Sequence, residues 1–451
     1  MLTHHDAVVV GSGPNGLSAA IALARAGWSV LVLEAAPVIG GGMRSEELTL
    51  PGFVHDVCSS VHPLGIASPF FRSLPLTEHG LEWVMPPAAL AHPLDDGSAA
   101  MLERTTEATG RTIGGDAGRY RALMDPFVER WAELLPELLA PLRFPRHPVL
   151  MARFGLRALR SASGLLTSQF RGEPARALLA GSSAHSMIPL TAAGSAAFGL
   201  VLALSAHVDG WPFVRGGTRA LAAALASYLR SLGGEIVTGS PVRSLAELPP
   251  AKAVLLDLTA RQVLEVAGDR LPGRYRAALQ RYRYGPGVCK VDWALAEPIP
   301  WRAGECARAG TVHLGGTLAE LVAAEEAPWR GAPAERPFVL LSQPTLFDPG
   351  RAPAGKHTAW AYCHVPNGAD VDMTACIEAQ VERFAPGFRD IILARTTLTP
   401  PVLERRNANL VGGDVGGGAN TLDQIVFRPT FRRVPYTTPV PGLFLCSAST
   451  P

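Results

Sequence analysis

Three glycines near the N-terminus have the spacing of a turn that binds the phosphates of a dinucleotide. Gly11, Gly13 and Gly16 follow a short apolar strand, with Pro14 and Asn15 between the last two. Gly11 allows the tight turn, Gly13 lets the backbone approach a pyrophosphate, and Gly16 lets the next helix pack on the strand. Unpaired N–H groups at the start of that helix favour an anion. The spacing therefore predicts that these five residues bind a dinucleotide.

An acidic residue lies where such a site needs a ligand for the ribose. The second predicted strand, residues 29–33, leads into Glu34, and Ala35 follows. A carboxylate here accepts hydrogen bonds from a ribose 2′-OH and repels a 2′-phosphate. The alternative is an ordinary strand–helix–strand unit whose glycines serve only packing, but it leaves Glu34 unexplained. We predict that Glu34 and Ala35 belong to the dinucleotide site.

A second glycine-rich loop follows and ends in a permanent positive charge. It contains Gly41, Gly42, Met43 and Arg44. A guanidinium beside a pyrophosphate has a direct electrostatic purpose, although a surface ion pair is the alternative. These four residues are predicted to contact the cofactor.

Three side chains are candidates for catalysis, and each has a structural alternative. His62 follows a short predicted strand and is either catalytic or a buried structural histidine. Lys290 lies in mid-strand, where it meets the cofactor or an anionic substrate, or else pairs with Asp292. Asp414 lies in a glycine-rich loop, where it takes part in catalysis or caps the loop. No metal site is predicted.

Alternating strands and helices surround these residues and must position them. Apolar periodicity and turn residues predict, in chain order, a helix over 17–26, a strand–turn–strand over 48–62, helices over 111–142 and on to about 181, a helix ending at 233, strands over 235–242, 253–258, 282–295, 338–343 and 357–363, a helix near 373–384 and a strand near 443–449. The strands over 235–242 and 253–258 are predicted to return to the first sheet. The nucleotide-binding domain is therefore predicted to be discontinuous.

The composition indicates a two-domain protein of near-neutral charge. The chain has 451 residues and a formal net charge of +2, without a basic stripe of the kind that binds nucleic acid. Its six cysteines are scattered without a C-x-x-C pair, which argues against zinc or a redox dithiol and is typical of a reducing compartment. Because the N-terminus does not resemble a signal peptide, a cytoplasmic location is expected.

One uncharged stretch has the length of a membrane span. Residues 187–206 carry no charge, but Pro189, Gly194 and Gly199 make them only mildly apolar. We predict a buried helix with a face of small residues, rather than a span. Peripheral membrane contact through another apolar surface stays open, and the oligomeric state is not predicted.

These motifs together resemble a known family. The chain resembles FAD-dependent oxidoreductases of the phytoene desaturase and flavin amine oxidase superfamily, in the phytoene dehydrogenase-related branch that includes pyridine nucleotide-disulphide oxidoreductase domain 2 proteins. The resemblance is carried by the Gly11 turn, Glu34, the loop ending at Arg44, residues 46–53, residues 60–63, residues 215–217, residues 289–293 and residues 412–414.

The resemblance implies an α/β fold with two domains. A Rossmann-like, discontinuous FAD-binding domain would comprise residues 1–85, 205–265 and 405–451, and a substrate domain of antiparallel sheet plus helices would comprise 86–204 and 266–404. Glu34 would hold the adenosine ribose, and the backbone of Val242 would contact the adenine region. Family members continue beyond the strand near 443–449 into a turn and a helix that cover the flavin. The chain stops at Pro451, so FAD retention is left open.

The implied activity is transfer of a hydride from an apolar or mixed small molecule to flavin N5. One alternative is an amine or amino-acid oxidase on the same fold. Another is a catalytically idle flavoprotein that acts as an interaction module. The substrate and the electron acceptor are not predicted.

Overall fold

The computed structural model describes residues 4–141 and 143–450. The predicted helix end at Leu142 and the predicted domain limits at 1 and 451 lie outside these residues. Within them the strands are β1 Ala7–Val10, β2 Val30–Leu33, β3 Ser45–Glu46, β4 His55–Asp56, β5 Trp83–Val84, β6 Ala88–Pro93, β7 Ala99–Leu102, β8 Phe213–Val214, β9 Glu235–Val237, β10 Ala253–Leu256, β11 Gly287–Leu295, β12 Ala309–Leu314, β13 Val339–Ser342, β14 His357–Val365, β15 Ile392–Leu398 and β16 Leu443–Leu445.

Helices alternate with these strands and are concentrated between β7 and β8. They are α1 Pro14–Arg25, α2 Pro63–Ala67, α3 Pro69–Arg72, α4 Thr106–Thr112, α5 Ala117–Val128, α6 Trp131–Leu138, α7 Pro148–Ala158, α8 Ala162–Gln169, α9 Glu173–Ala184, α10 Ser195–Val208, α11 Arg219–Ser231, α12 Ala260–Ala267, α13 Gly273–Gln280, α14 Leu318–Glu326, α15 Thr374–Phe384, α16 Pro400–Arg406 and α17 Leu422–Ile425.

A parallel sheet of five strands forms the nucleotide-binding half. Its order is β16-β10-β1-β2-β9, so three separate parts of the chain contribute to it. The strands are short and apolar, and Val8 and Val9 are fully buried, as expected for a parallel sheet covered on both faces. Helices α1 and α11 pack against each other beside it. The predicted Rossmann-like fold and its discontinuity are confirmed.

A second, mixed sheet of seven strands forms the substrate half. Its order is β15-β11-β14-β13-β12-β6-β7, with β12 and β6 parallel and the other neighbours antiparallel. The predicted strands that became β11, β13 and β14 are present, as is helix α15. Strands β6, β7, β12 and β15 were not predicted. Strand β6, for instance, is buried at every residue, so it lacks the alternation that marks a half-exposed strand.

The helical region differs from its prediction at the glycines. The helix predicted over 111–142 is divided into α4, α5 and α6, with the break before α5 at Gly114, whose φ is +63°. The helix predicted over 187–206 is α10, which begins only after Gly194, a residue with φ +86°. Its packing face is buried, as predicted. No helix in the described part of the chain is long and apolar enough to cross a membrane.

The predicted domain limits stay predictions, and the packing differs from them at two places. Tyr275 and Leu279 of α13 lie in one apolar cluster with β16 of the parallel sheet, although residue 266 was the predicted start of a substrate-domain segment. Conversely, Ala206 and Trp211 pack in the apolar core of the substrate half.

Candidate functional site

The glycine turn leaves its backbone open at the start of α1. The helix begins at Pro14, and Gly13 before it offers no side-chain cap. A Cβ atom on Gly16 would lie 2.2 Å from the carbonyl oxygen of Gly11, so only glycine permits this approach of helix to strand. The geometry agrees with the reason for which these residues were predicted. Their contacts with a cofactor stay predictions.

Glu34 is held rigidly beside that turn. Its Oε2 accepts hydrogen bonds from the backbone N–H of Ser12 at 2.8 Å and from the Ser12 hydroxyl at 2.6 Å, and its Oε1 accepts one from the N–H of Ala36 at 2.9 Å. The backbone N–H of Ser240 donates to the carbonyl of Glu34, which brings the segment containing Val242 to the end of β2. Sequence reasoning placed Glu34, Ala35 and Val242 in this region, and the fold brings them together.

The second glycine-rich loop lies directly against the first. The N–H of Gly40 donates to the carbonyl of Ser12 at 3.1 Å, and a Cβ atom on Gly41 would lie 3.0 Å from the Cα of Gly13. The Met43 side chain is buried in the core of the parallel sheet, and the backbone N–H of Met43 donates to the carbonyl of Gly40, so a contact of Met43 with the cofactor stays a prediction. The two loops together form a cradle lined by backbone.

Arg44 has backbone partners rather than the surface ion pair considered for it. Its Nε donates to the carbonyl of Gly41 at 2.9 Å, and one terminal nitrogen donates to the carbonyl of Arg406 at 2.7 Å. The guanidinium therefore fixes the loop and ties it to α16. Direct contact of Arg44 with a pyrophosphate stays a prediction.

Asp257 is a functional candidate that sequence reasoning missed. It follows β10, and its Oδ2 accepts a hydrogen bond from the N–H of Gly16 at 3.0 Å. A Cβ atom on Gly13 would lie 2.6 Å from the same oxygen. Burial, opposed by backbone hydrogen bonds from Gly16 and Gly13 and assisted by the charge of Glu34, raises the pKa of Asp257 to about 7. The available signal was an acid directly after an apolar strand, as at Glu34.

The cradle fits a dinucleotide cofactor. A Cβ atom on Gly13 would collide with the Asp257 carboxylate, and one on Gly16 or Gly41 would press on backbone atoms. The uncapped start of α1 provides N–H groups suited to a pyrophosphate. Glu34 retains acceptor capacity for a ribose, since each carboxylate oxygen has two lone pairs.

A cavity of about 240 Å³ lies where the substrate half meets residues that follow the second loop. Its lining is mostly apolar, and the lining residues are Val57, Cys58, Ser59, Ser60, Val61, Pro63, His185, Leu202, Trp211, Val288, Lys290, Thr311, Leu340, Trp360, Tyr362, Leu403 and Val415. The Cβ and Sγ of Cys58 would each lie 3.8 Å from a Cβ atom on Gly42. The cavity therefore adjoins the dinucleotide cradle.

Lys290 reaches this cavity with its charge already balanced. Its Nζ lies 2.5 Å from both carboxylate oxygens of Asp292, and both side chains are buried. His55 Nδ1 lies 3.5 Å from Asp292 Oδ1. The predicted alternation is present, because Cys289, Val291 and Trp293 face the opposite core. Lys290 thus pairs with Asp292 and also lines the cavity, and its contact with a cofactor or a substrate stays a prediction.

The other two catalytic candidates lie outside the cavity lining. His62 bonds through Nε2 to the hydroxyl of Thr218 at 2.9 Å, and burial lowers its pKa to about 4. Asp414 accepts hydrogen bonds from the N–H groups of Gly285 at 2.8 Å and Gly416 at 2.7 Å, and burial raises its pKa. These contacts agree with the structural alternatives, a buried histidine and a loop cap.

His185 is a cavity residue that the sequence did not reveal. Its Nε2 lies 3.0 Å from Nε2 of His313, so one of the two rings donates its N–H to the other. Burial lowers the pKa of His185 to about 3 and that of His313 well below its usual range. Both rings are therefore neutral near pH 7. His185 directly follows α9 and His313 lies on β12, 128 positions away, and no local pattern connects them.

A buried ionic cluster joins the two halves next to the cavity. Asp56 accepts hydrogen bonds from Arg351 at 2.6 Å, Ser60 at 2.5 Å and Ser45 at 2.7 Å. Arg351 also donates to Asp348 at 3.0 Å. Burial alone would raise the pKa of Asp56, but the charge of Arg351 and the serine hydrogen bonds outweigh it and lower that pKa.

The part of the chain that the structure describes contains no group of three or more His, Cys, Asp or Glu side chains arranged to hold a metal ion. All six cysteines are free.

The family model described as "DAO: FAD dependent oxidoreductase" matches residues 6–268, more than half of the chain. The chain belongs to the FAD-dependent oxidoreductase family. The predicted resemblance and the predicted cofactor, FAD, are thereby confirmed, and the cradle of Gly13, Gly41 and Glu34 lies within the matched residues.

The chain is also similar to individual proteins, two by sequence and one by fold. The chain is 28% identical to mouse (Mus musculus) pyridine nucleotide-disulfide oxidoreductase domain-containing protein 2 over 98% of this chain and 90% of the relative. It is 31% identical to hydroxyneurosporene desaturase of Cereibacter sphaeroides over 52% of this chain and 49% of the desaturase. Cyclohexylamine oxidase from Brevibacterium oxydans shares the fold, with a TM-score of 0.58, 16% identity and coverage of 99% of this chain and 93% of the oxidase.

Proposed function

We propose that this FAD-dependent oxidoreductase dehydrogenates an uncharged, largely apolar small molecule bound in the cavity. The observation that carries the proposal is the lining of that cavity. Among the described residues that line it, Lys290 is the one with a charged side chain, and Asp292 neutralises that charge. A cationic or anionic substrate would lose its hydration there without an opposite charge to receive it. The similarity to a hydroxyneurosporene desaturase supports the same class of reaction.

The residues of the cavity would serve this reaction in different ways. The bound FAD supplies the hydride acceptor. Apolar side chains such as Leu202 and Val288 exclude water, while the ammonium of Lys290 is oriented by Asp292 and presents a hydrogen-bond donor at the wall. The neutral imidazole of His185 provides a polar contact for a hydroxyl or carbonyl group of the substrate. We assign Lys290 and His185 as the residues that orient the substrate or exchange a proton with it.

Amine oxidation is the second candidate, and one observation favours it. The rings of Trp360 and Tyr362 both line the cavity and lie nearly parallel, with centroids 6.0 Å apart and planes inclined by 11°. Aromatic faces attract cations, and Lys290 Nζ already lies 5.6 Å from the Trp360 centroid. The amino group of an amine substrate would bind against these aromatic faces, because the described cavity lining offers it no carboxylate.

Anaerobic reduction of the bound flavin by matched substrates separates the candidates. Purified protein should release FAD on heating, and its flavin absorbance should bleach with geraniol but much more slowly with geranylamine, which has the same skeleton. Faster bleaching by the amine would favour an amine oxidase. A bound flavin that neither class reduces would favour the idle flavoprotein, and colourless protein that FAD cannot reconstitute would contradict the cofactor assignment for this chain.

Filling the cavity should slow reduction without removing the flavin. Leu202→Phe adds volume at the cavity wall and should lower the reduction rate by about tenfold or more, because overpacking displaces substrate. Val201→Phe, on the neighbouring position of α10 outside the cavity lining, is the matched control and should retain the rate. Equal rates for both variants would place the substrate elsewhere.

A further inference from the structure

Helix α7 has two apolar faces, and its packing accounts for only one of them. Leu150, Phe154 and Ala158 are buried in the core of the substrate half. On the opposite face Val149 and Leu156, two turns apart, are 70% and 76% exposed. A surface helix with a single packing face normally carries polar residues on its outer side.

The exposed apolar side chains continue on both sides of this helix. Phe144, just before α7, is 87% exposed, and Leu159, just after it, is exposed as well. We call this face the α7 surface; it consists of Phe144, Val149, Leu156 and Leu159 with the arginines Arg143, Arg146, Arg153, Arg157 and Arg160. Contiguous exposed apolar side chains of this kind mark a surface that contacts protein or membrane.

The sequence that forms the α7 surface is strongly basic. The sequence from 138 to 172 contains six arginines and no lysine, aspartate or glutamate, whereas the whole chain has 41 basic and 39 acidic residues. The carboxylate of Glu137 lies 3.7 Å from Arg143 and 3.5 Å from His147, and that of Glu133, which is paired with Arg130, lies 3.4 Å from His147. The α7 surface is therefore richer in positive charge than the chain as a whole.

We propose that the α7 surface docks on an anionic lipid bilayer, with its apolar side chains at the headgroup–acyl boundary and its arginines at the lipid phosphates. An apolar face flanked by arginines is the pattern of a helix that lies in a membrane interface. A protein partner or a second copy would need carboxylates opposite these arginines and an apolar patch of matching shape. An anionic bilayer supplies phosphates for the arginines and acyl chains for the apolar side chains, and it needs no surface of matching shape. The proposal is independent of the reaction catalysed.

The position of α7 also connects this surface to the cavity. Helix α7 packs on α10, and Leu202 of α10 lines the cavity. One layer of helix thus separates the docked face from the substrate site. A bilayer at this face would place dissolved apolar molecules next to the cavity.

Vesicle sedimentation tests the proposal with the FAD-loaded protein. It should bind vesicles of phosphatidylcholine mixed with phosphatidylglycerol, bind pure phosphatidylcholine much less, and lose affinity as salt is raised. The double variant Phe144→Ser with Leu156→Ser should lose at least about tenfold in affinity, because it removes the apolar part of the contact. Leu393→Ser, at an exposed leucine on the edge strand β15, outside the α7 surface, is the matched control and should bind like the wild type.

The same samples show which result would overturn the proposal. Unchanged vesicle binding by the double variant would overturn it, as would absence of binding to anionic vesicles by the wild type. Self-association in analytical ultracentrifugation that the double variant abolishes, without vesicle binding, would assign the face to a second copy instead. Flavin content and circular dichroism of the variants establish that each is folded.

Discussion

Two fully buried aspartates in this protein have opposite electrostatic surroundings. Asp56, at the junction of the two halves, faces Arg351 and two serine hydroxyls, and its pKa is lowered. Asp257, at the glycine turn, faces backbone N–H groups and the carboxylate of Glu34, and its pKa is raised to about 7. Burial acts in the same direction on both, so the difference comes from the partner. The protein uses one carboxylate as a fixed anion and the other as a group that is half protonated near neutral pH.

The largest expected effect is a loss of folding stability when the ion pair at the junction of the two halves is broken. Arg351→Met leaves Asp56 buried without its cation and should lower the free energy of unfolding by about 3–5 kcal/mol. Arg336→Met, whose side chain is 76% exposed and 3.7 Å from Glu320, is the matched control and should cost less than about 1 kcal/mol. Urea denaturation measures both variants. Equal losses would mean that the Asp56–Arg351 pair does not dominate the junction.

The same variant should also reverse the pH dependence that Asp56 contributes. In the wild type the pKa of Asp56 is lowered, so its stabilisation is present above the unfolded value of 3.8 and is lost as the pH falls below it. Without Arg351 burial prevails and raises that pKa, so acidification from pH 7 towards 4 should stabilise the variant relative to wild type.

The next effect concerns FAD binding at the turn. Because the pKa of Asp257 is about 7, FAD affinity should fall as the pH rises above 7, by at most about tenfold per pH unit, since an anion then lies beside the pyrophosphate. Asp257→Asn should bind FAD equally across this range, as followed by flavin fluorescence. A pH-dependent affinity that persists in the variant would assign the titration to another group.

Folding stability gives an independent check on Asp257. The unfolded carboxyl ionises near pH 3.8, whereas the folded one stays protonated to about pH 7. Between these values unfolding releases a proton, so this group makes the protein less stable as the pH rises, by at most about 1.4 kcal/mol per unit. The Asn variant should lose that slope.

The contrast also shows how far the sequence could predict the site. Glu34 was predictable because its place depends on a motif that spans one strand–helix–strand unit. Asp257 contacts Gly16 across 241 positions, and Arg351 contacts Asp56 across 295. Contacts at such separations follow from the order of strands in the sheets, which local periodicity does not specify. For the same reason Lys290 was predicted as a candidate, but its neighbours in the cavity wall, such as His185 and Trp360, were not.

The fold was predictable to a similar degree. Strand β11 was recognised because its polar and apolar residues alternate, with Lys290 facing the cavity and Trp293 the core. Strand β6 carries apolar residues on both faces and is buried throughout, so its sequence does not distinguish it from a helix turn. Glycines with positive φ, such as Gly114 and Gly194, set helix ends that apolar spacing alone extended too far.

A smaller effect is expected at Glu34. Glu34→Ala removes an acceptor for a ribose hydroxyl and should weaken FAD binding by about tenfold or more, since one hydrogen bond to a charged group contributes about 1.5–3 kcal/mol. Glu235→Ala, an acid on the neighbouring strand β9 whose side chain is 59% exposed, is the matched control. Undiminished flavin content after dialysis of the Glu34 variant would contradict the ribose role.

The smallest expected effect comes from removing one hydrogen bond to the Asp56 carboxylate. Ser60→Ala removes a donor at 2.5 Å from Asp56, a charged acceptor, and should cost about 1–2 kcal/mol of unfolding free energy. The neighbouring Ser59 donates at 3.1 Å to the carbonyl of Gly42, a neutral acceptor, so Ser59→Ala should cost about half as much. The difference between the two variants should shrink as the pH falls and Asp56 is protonated, because both serines then face neutral acceptors. A difference that is constant with pH would mean that Ser60 acts through packing rather than through the charge of Asp56.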